Sequence, residues 1–166
     1  MAEKKRYGRA EEFGSEFEDK VLYINRCSKV VKGGRKFSFS ALVVIGDGQG
    51  RVGLGFAKAN EVSDAIRKGT DAARKNVLEF EMENDTIPHE ITVDWDGARV
   101  LLKPAGEGTG VVAGSKIRSV LEMGGIKNVV AKSLGCNNPL NQVRATFKAL
   151  ESLRNRKAYF EGRGTA

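Results

Sequence analysis

The run KFSFSALVVI, Lys36 to Ile45, alternates over ten residues. Phe37, Phe39, Ala41, Val43 and Ile45 fall on one side, and Lys36, Ser38, Ser40, Leu42 and Val44 on the other. A period of two sustained this long demands a strand, so the chain must build a sheet around it. On its N-terminal side, VLYINRCSKVV (Val21 to Val31) is rich in β-branched and aromatic residues and predicts a partner strand, with Gly33-Gly34 between the two. On its C-terminal side GDGQG (Gly46 to Gly50) reads as a tight turn. Val52, Leu54 and Phe56 then alternate with Arg51, Gly53 and Gly55 in a third strand, completing an antiparallel meander. Gly53 and Gly55 leave one face bare, which lets a helix pack closely or a partner approach.

A helix is expected next. Val62, Ile66, Gly69, Ala73, Val77 and Phe80 step by three or four and form one stripe able to cover the meander. Asp64–Lys68 and Asp71–Lys75 would pair on its wet side. The acidic, proline-containing EMENDTIPHE (Glu81 to Glu90) reads as a linker. The pattern then restarts. Ile91, Val93 and Trp95 lead into Asp96-Gly97, a strong two-residue hairpin signal, and ARVLLK (Ala98 to Lys103) returns. PAGEGTG (Pro104 to Gly110) is a glycine loop, and Val112, Ile117, Val120 and Leu121 suggest a helix ending at Gly124-Gly125. NVVAKSL (Asn128 to Leu134) predicts a strand, and Asn138-Pro139 an N-cap with proline at N1 of a last helix carrying Leu140, Val143, Phe147 and Leu150. The expectation is an α+β chain of two small α/β domains, β-β-β-α over residues 20–83 and ββαβα over 84–154. A flexible arm (1–19) and a basic flexible tail (155–166) flank them.

At 166 residues with 40% hydrophobic content the chain supports one ordinary domain or two small ones. No apolar run approaches the roughly 18–20 residues that span a bilayer, and MAEKKRYGRAEEF lacks the apolar segment of a secretory signal. A soluble cytosolic protein is expected. Cys27 and Cys136 lie far apart with no CxxC spacing, so free thiols are the natural reading.

Glycine motifs invite enzymatic readings that fail on context. Gly48-Gln49-Gly50-Arg51-Val52-Gly53 matches GxGxxG, but a dinucleotide site needs those glycines to open a helix, and here they open a strand. Gly114-Ser115-Lys116 is not in P-loop order. A glycine loop before a helix also occurs in small-molecule kinases of the galactokinase–homoserine kinase type. Those need acid and metal carboxylates near the phosphates, and only Glu107 and Glu122 are close in sequence. His89 is the single histidine, which removes every multi-histidine metal site, and it reads as solvated in the linker. Trp95 reads as core. No nucleophile, base and orienting group assemble by spacing.

The charge is distinctive instead. The net charge is +7, and residues 21–60 hold seven cations against one acid. Between Asp19 and Asp47 there is no acid at all, yet Lys20, Arg26, Lys29, Lys32, Arg35 and Lys36 lie there. A solvated face ordinarily intersperses acids among its cations, so this stretch points to a polyanion, nucleic acid first and anionic membrane second. Gly33-Gly34 would let backbone approach phosphates unobstructed. Five such cations on phosphates give a log–log salt slope of about −3.5 to −4.5.

GGRKFSFSALVVIGDGQGRVGLGFAKANEVSDAIRKGTDAARKN (Gly33 to Asn76) resembles the family of ribosomal protein five of the bacterial small subunit. The spacing of Gly34, Phe37, Phe39, Ala41, Gly46-Asp47, Gly50, Gly53, Gly55 and Lys58 is similar to that family's signature. NRCSKVVKGG (Asn25 to Gly34), LLKPAGEGTGVVAGSKIRSVLEMGGIKNVVAKSLG (Leu101 to Gly135) and NNPLNQVRATFKAL (Asn137 to Leu150) extend the likeness over about residues 20–155. The resemblance implies a first domain like a double-stranded-RNA-binding domain without its leading helix. It implies a second domain of the fold shared with the kinases above, without their activity.

It further implies a non-enzymatic scaffold of the cytoplasmic small ribosomal subunit that binds 16S ribosomal RNA, with no cofactor, small-molecule substrate or membrane partner. Its hairpin, here Arg26 to Lys36, would reach RNA in the subunit head near the spectinomycin site. Contacts to ribosomal proteins four and eight are implied, the former influencing decoding accuracy. Expected RNA-binding residues are Arg26, Ser28, Lys29, Lys32, Gly33, Gly34, Arg35 and Lys36, with Arg51 and Lys58 extending the footprint and Thr109, Gly110 and Lys116 at the second helix start. Glu107, Gly108 and Arg118 match the family's protein-facing segments. A free-standing regulatory double-stranded-RNA-binding protein is the alternative with the same charge pattern.

Overall fold

The computed structural model describes residues 17–154, so the tail and all but the last residues of the expected arm lie outside the described residues. The chain divides into two compact units. Among the described residues the first comprises 17–47 and 52–78, and the second 48–51 and 79–154.

The first unit is a sheet in the order β1-β2-β3-β4, built from β1 (Glu18–Val31), β2 (Gly34–Gly46), β3 (Arg51–Ala59) and β4 (Val77–Glu79), with α1 (Val62–Lys75) between the last two. The meander is antiparallel as the alternation requires, Val31 pairing with Gly34 and Gly46 with Val52. β1 takes in Glu18 and Asp19, two residues expected in the arm. The bare glycine face meets a helix. A Cβ on Gly53 would lie 2.6 Å from the Ala73 carbonyl oxygen, and one on Gly55 would collide with the Gly69 carbonyl. Gly69 in turn faces Val43, so three glycines let α1 lie directly on β2 and β3, with its Ala65 packed against Ala41, Val43 and Ala59. Leu42 and Val44 on the opposite face are buried too, so this part of β2 is covered on both sides.

The stripe read from the sequence overran the helix. The Asn76 side chain donates to the Ala72 carbonyl at 3.1 Å, and its backbone leaves helical geometry. Val77 therefore enters β4, and Phe80 lies beyond it; neither is on α1. The buried helical face is Ala65, Gly69 and Ala73, and Asp64 pairs with Arg67 at 3.0 Å rather than with Lys68.

The second unit holds β5 (Ile91–Trp95), β6 (Ala98–Pro104), β7 (Val111–Val112), α2 (Ser115–Met123), β8 (Val129–Leu134) and α3 (Pro139–Glu151). Its sheet runs β5-β6-β8-β7, antiparallel except for β7 and β8, which are parallel with α2 as their crossover. Asp96 and Gly97 form the two-residue hairpin, both with positive φ. Gly124-Gly125 closes α2 as a Schellman motif: Ile126 N–H donates to Leu121 and Gly125 N–H to Glu122. Asn138 caps α3 by accepting from Leu140 N–H at 3.2 Å. α3 packs on β5 and β6 and against α2, burying Val143, Ala145, Thr146, Ala149 and Leu150.

Four expectations for this unit need correction. Val112 belongs to the extra strand β7, not to α2, because pairing with Val130 claims it. The 81–90 segment is structure, not linker: Ile87 is fully buried, Thr86 Oγ1 donates to the Asn128 carbonyl at 2.6 Å, and the Asp85 carbonyl accepts from Lys127 and Asn128 N–H. His89 is half-buried, its Nε2 accepting from Arg154 N–H at 3.1 Å and its Nδ1 donating to the Glu90 carbonyl at 2.9 Å. Trp95 is exposed rather than core, with Lys148 Nζ 5.3 Å from its ring.

Candidate nucleic-acid interface

β1 and β2 together outrun the rest of their sheet. β3 pairs with β2 only from Phe39 to Gly46, so the strands from about Asn25 to Phe39 form a two-stranded ribbon. Its loop is Lys32-Gly33, and Gly33 has φ 96°, as the second central residue of a type II turn requires. A Cβ at Gly33 or Gly34 would meet nothing within 4 Å, and residues 32–36 are all exposed. The tip lies roughly 20 Å from Phe39 at the usual rise per residue.

Register sorts the cations. Directly paired residues share a face, and faces alternate along each strand. Arg26 (opposite Phe39), Ser28 (opposite Phe37) and Val30 (opposite Arg35) lie on one face of the ribbon. Lys29 lies directly opposite Lys36 on the other, with Cys27 opposite Ser38. Lys58, opposite Ser40, continues the lysine face onto β3. Like charges directly opposed destabilise a sheet, by roughly 0.2–1 kcal/mol for a cross-strand pair. No acid lies on either strand of the ribbon, and among the described residues Lys29, Lys32, Arg35 and Lys36 form no ion pair.

Phe37, which the alternation set on one face with Phe39, Ala41, Val43 and Ile45, is 46% exposed. The Arg26 guanidinium carbon sits 3.7 Å from its ring centroid. Phe37 lies diagonally across from Arg26 because the loop is Lys32-Gly33; a loop at Gly33-Gly34, as the sequence suggested, would have set Phe37 opposite Val30 and Arg26 opposite Ala41.

Arg51 is not brought to this place. It opens β3 at the far end of β2, roughly 40 Å from the tip by strand rise, half-buried and with a partner of its own. In the second unit, Glu107, Gly108 and Thr109 are exposed in a loop closed by Thr109 N–H donating to the Gly106 carbonyl at 3.3 Å. Gly110 is tied down: its N–H donates to Asn128 Oδ1 at 3.1 Å, and its carbonyl accepts from Val129 N–H. The loop does not open α2 directly, because β7 and Ala113-Gly114 intervene. Lys116 and Arg118 lie on the first turn of α2, Lys116 half-buried and partnered, Arg118 exposed.

Among the described residues no three histidine, cysteine or carboxylate side chains gather as metal ligands, and no helix is long and apolar enough to cross a membrane. Cys27 and Cys136 are free thiols.

These features define a two-unit α+β protein with an exposed, acid-free basic β-ribbon. Comparison with known proteins gives the family. The profile described as "Ribosomal protein S5, N-terminal domain" matches residues 17–81, and "Ribosomal protein S5, C-terminal domain" matches 93–163. The chain is 65% identical to the small ribosomal subunit protein uS5 of Protochlamydia amoebophila over 150 residues, 90% of each chain. It is 69% identical to the protein of the same name from Chlamydia abortus over 143 residues, 86% of this chain and 87% of the relative. The chain belongs to the ribosomal protein S5 family, which is structural and non-enzymatic.

Proposed function

We propose that this chain is a structural component of the small ribosomal subunit that binds 16S ribosomal RNA through the β1–β2 ribbon. The observation that carries this is the cross-strand pair Lys29–Lys36, set beside Lys32 and Arg35 at an open glycine tip with no acid between Asn25 and Phe39. Such a cluster is self-repelling unless its counter-charge lies on another molecule. Phosphates supply it, and backbone contacts of this kind position a protein without reading bases. Ser28 along the ribbon, and Arg26 and Lys58 at its base, extend the footprint away from the tip.

The exposed Glu107–Thr109 loop and Arg118 are the part of the second unit we assign to neighbouring ribosomal proteins, four and eight in this reading. The contact with four gives the protein its influence on decoding accuracy. The relatives are named as small-subunit proteins, which supports ribosomal neighbours in general.

Co-sedimentation with small subunits at moderate salt tests the role, with near-stoichiometric recovery expected. Replacing Lys29, Lys32 and Arg35 together by Glu is expected to abolish incorporation while thermal unfolding stays close to wild type, because all three are exposed. Normal incorporation of that variant would remove the ribbon from the interface.

A further inference from the structure

The two faces of the ribbon are chemically different, and the fold does not require them to be. Between Asn25 and Phe39 one face carries both guanidinium groups, Arg26 and Arg35, together with Phe37 and Val30. The other carries the ammonium groups of Lys29 and Lys36. An ammonium is a compact point charge suited to a phosphate oxygen, whereas a guanidinium is planar and stacks. On the first face the stacking has begun: Arg26 covers Phe37 at 3.7 Å, and both side chains remain exposed. Val30, 74% exposed, and Arg35 lie beside them toward the tip. Exposed apolar surface of this kind has no solubility role, and no acid competes for Arg26.

We infer that the Arg26–Phe37 stack is a platform for one unstacked RNA base, while the lysine face takes the phosphate backbone. The inference rests on the RNA-binding reading above and deepens it, naming the substrate as RNA with an unpaired nucleotide rather than uninterrupted duplex. Unpaired bases are the part of RNA that aromatic and guanidinium planes can cover, and every base offers the same π-face, so the platform is tolerant of sequence. Arg26 already lies on the ring, so the platform is ordered before the base arrives.

Phe56 supplies an internal control. It is 43% exposed, close to the 46% of Phe37, but lies on the lysine face opposite Leu42, with the Lys58 ammonium 6.0 Å from its ring in place of a stacked guanidinium.

The test uses the full chain and two RNA duplexes, identical except that one carries a single bulged 2-aminopurine nucleotide. Wild type is expected to prefer the bulged RNA by about 5- to 150-fold, the range that base–aromatic stacking supplies, and to change the 2-aminopurine fluorescence on binding. Phe37→Ala is expected to erase the preference and the fluorescence change, leaving the affinity for perfect duplex and its salt slope as in wild type. Phe37→Trp restores both, and Phe56→Ala leaves both intact. The inference is overturned if wild type binds the two RNAs equally, or if Phe37→Ala keeps the preference. Failure of wild type to bind either RNA would instead bring down the RNA-binding reading itself, and the platform with it. Phe37 is exposed, so thermal melts of its variants should match wild type, keeping folding separate from recognition.

Discussion

The two ends of β2 use the same residue types for opposite purposes. At its C-terminal end Val43 and Ile45 run beside Gly53 and Gly55, and glycine is there because nothing else fits beneath α1. At its N-terminal end Gly33 and Gly34 face empty space, and glycine is there for its positive φ and for access. Charge divides in the same way. Away from the ribbon several exposed cations find acids within the chain: Arg67 with Asp64, Arg99 with Asp94, Lys103 with Glu90, Lys127 with Asp85. On the ribbon Lys29 finds only Lys36. One end of the strand is complete within the protein, and the other is built to be completed by something else.

Gly55→Ala breaks the packed end and is the largest effect expected. Its Cβ would enter the Gly69 carbonyl and crowd the Ala73 amide, both backbone groups of α1 that no rotamer change can move. Overpacking of this kind costs about 1–3 kcal/mol and occasionally more, and a backbone clash belongs at the top of that range. Denaturant titration followed by circular dichroism should show it. A near-wild-type midpoint would mean that α1 rides higher on the sheet than described.

Removing charge from the open end sharpens the contrast. Lys29→Ala combined with Lys36→Ala is expected to leave stability unchanged or raise it, by up to about 1 kcal/mol, because a repulsive cross-strand pair is gone. RNA affinity should fall in the same protein. The log–log salt slope should become shallower by roughly 1.4–1.8, about 0.7–0.9 for each phosphate no longer neutralised. A variant both less stable and unaltered in salt slope would show that the lysines serve the fold rather than a ligand.

What could be read from sequence was what is decided locally. The alternation around Val43, the Asp96-Gly97 turn and the Asn138-Pro139 cap each specify their geometry within a few residues, and each is present. What escaped was decided at a distance. The helical stripe carried past Lys75 because Val77 and Phe80 keep the period, while pairing with β3 claims Val77 for β4. The 81–90 segment is acidic and polar by composition, yet Thr86 and Asp85 are held by residues 42 or more positions away. For the candidate interface, charge alone located the ribbon, but only register could separate Arg26 and Phe37 from Lys29 and Lys36. Arg51 shows the limit of a linear reading, since a cation close in sequence to the patch lies at the other end of the strand.

Asp94→Asn carries the smallest expected effect and tests whether one unpaired cation is diagnostic at all. Arg99 donates to both Asp94 carboxylate oxygens, at 2.6 and 2.9 Å, from an exposed position on β6. Those hydrogen bonds hold the carboxyl below its ordinary 3.8; desolvation opposes them, and the charges of Arg99 and Lys148 add to the lowering. A depressed folded value stabilises the native state above the unfolded value and is lost as pH falls through the folded one. The gap between wild type and Asp94→Asn in thermal melts should therefore be small at neutral pH and close below about pH 3.8. A small gap is what a solvent-exposed pair gives, since such pairs contribute little. The ribbon then stands out not because any one of its cations lacks an acid but because five cations share it with none. A large gap would change that weighing. Unpaired cations would then be strongly unfavourable everywhere, and the double alanine variant of Lys29 and Lys36 should gain stability to a matching degree.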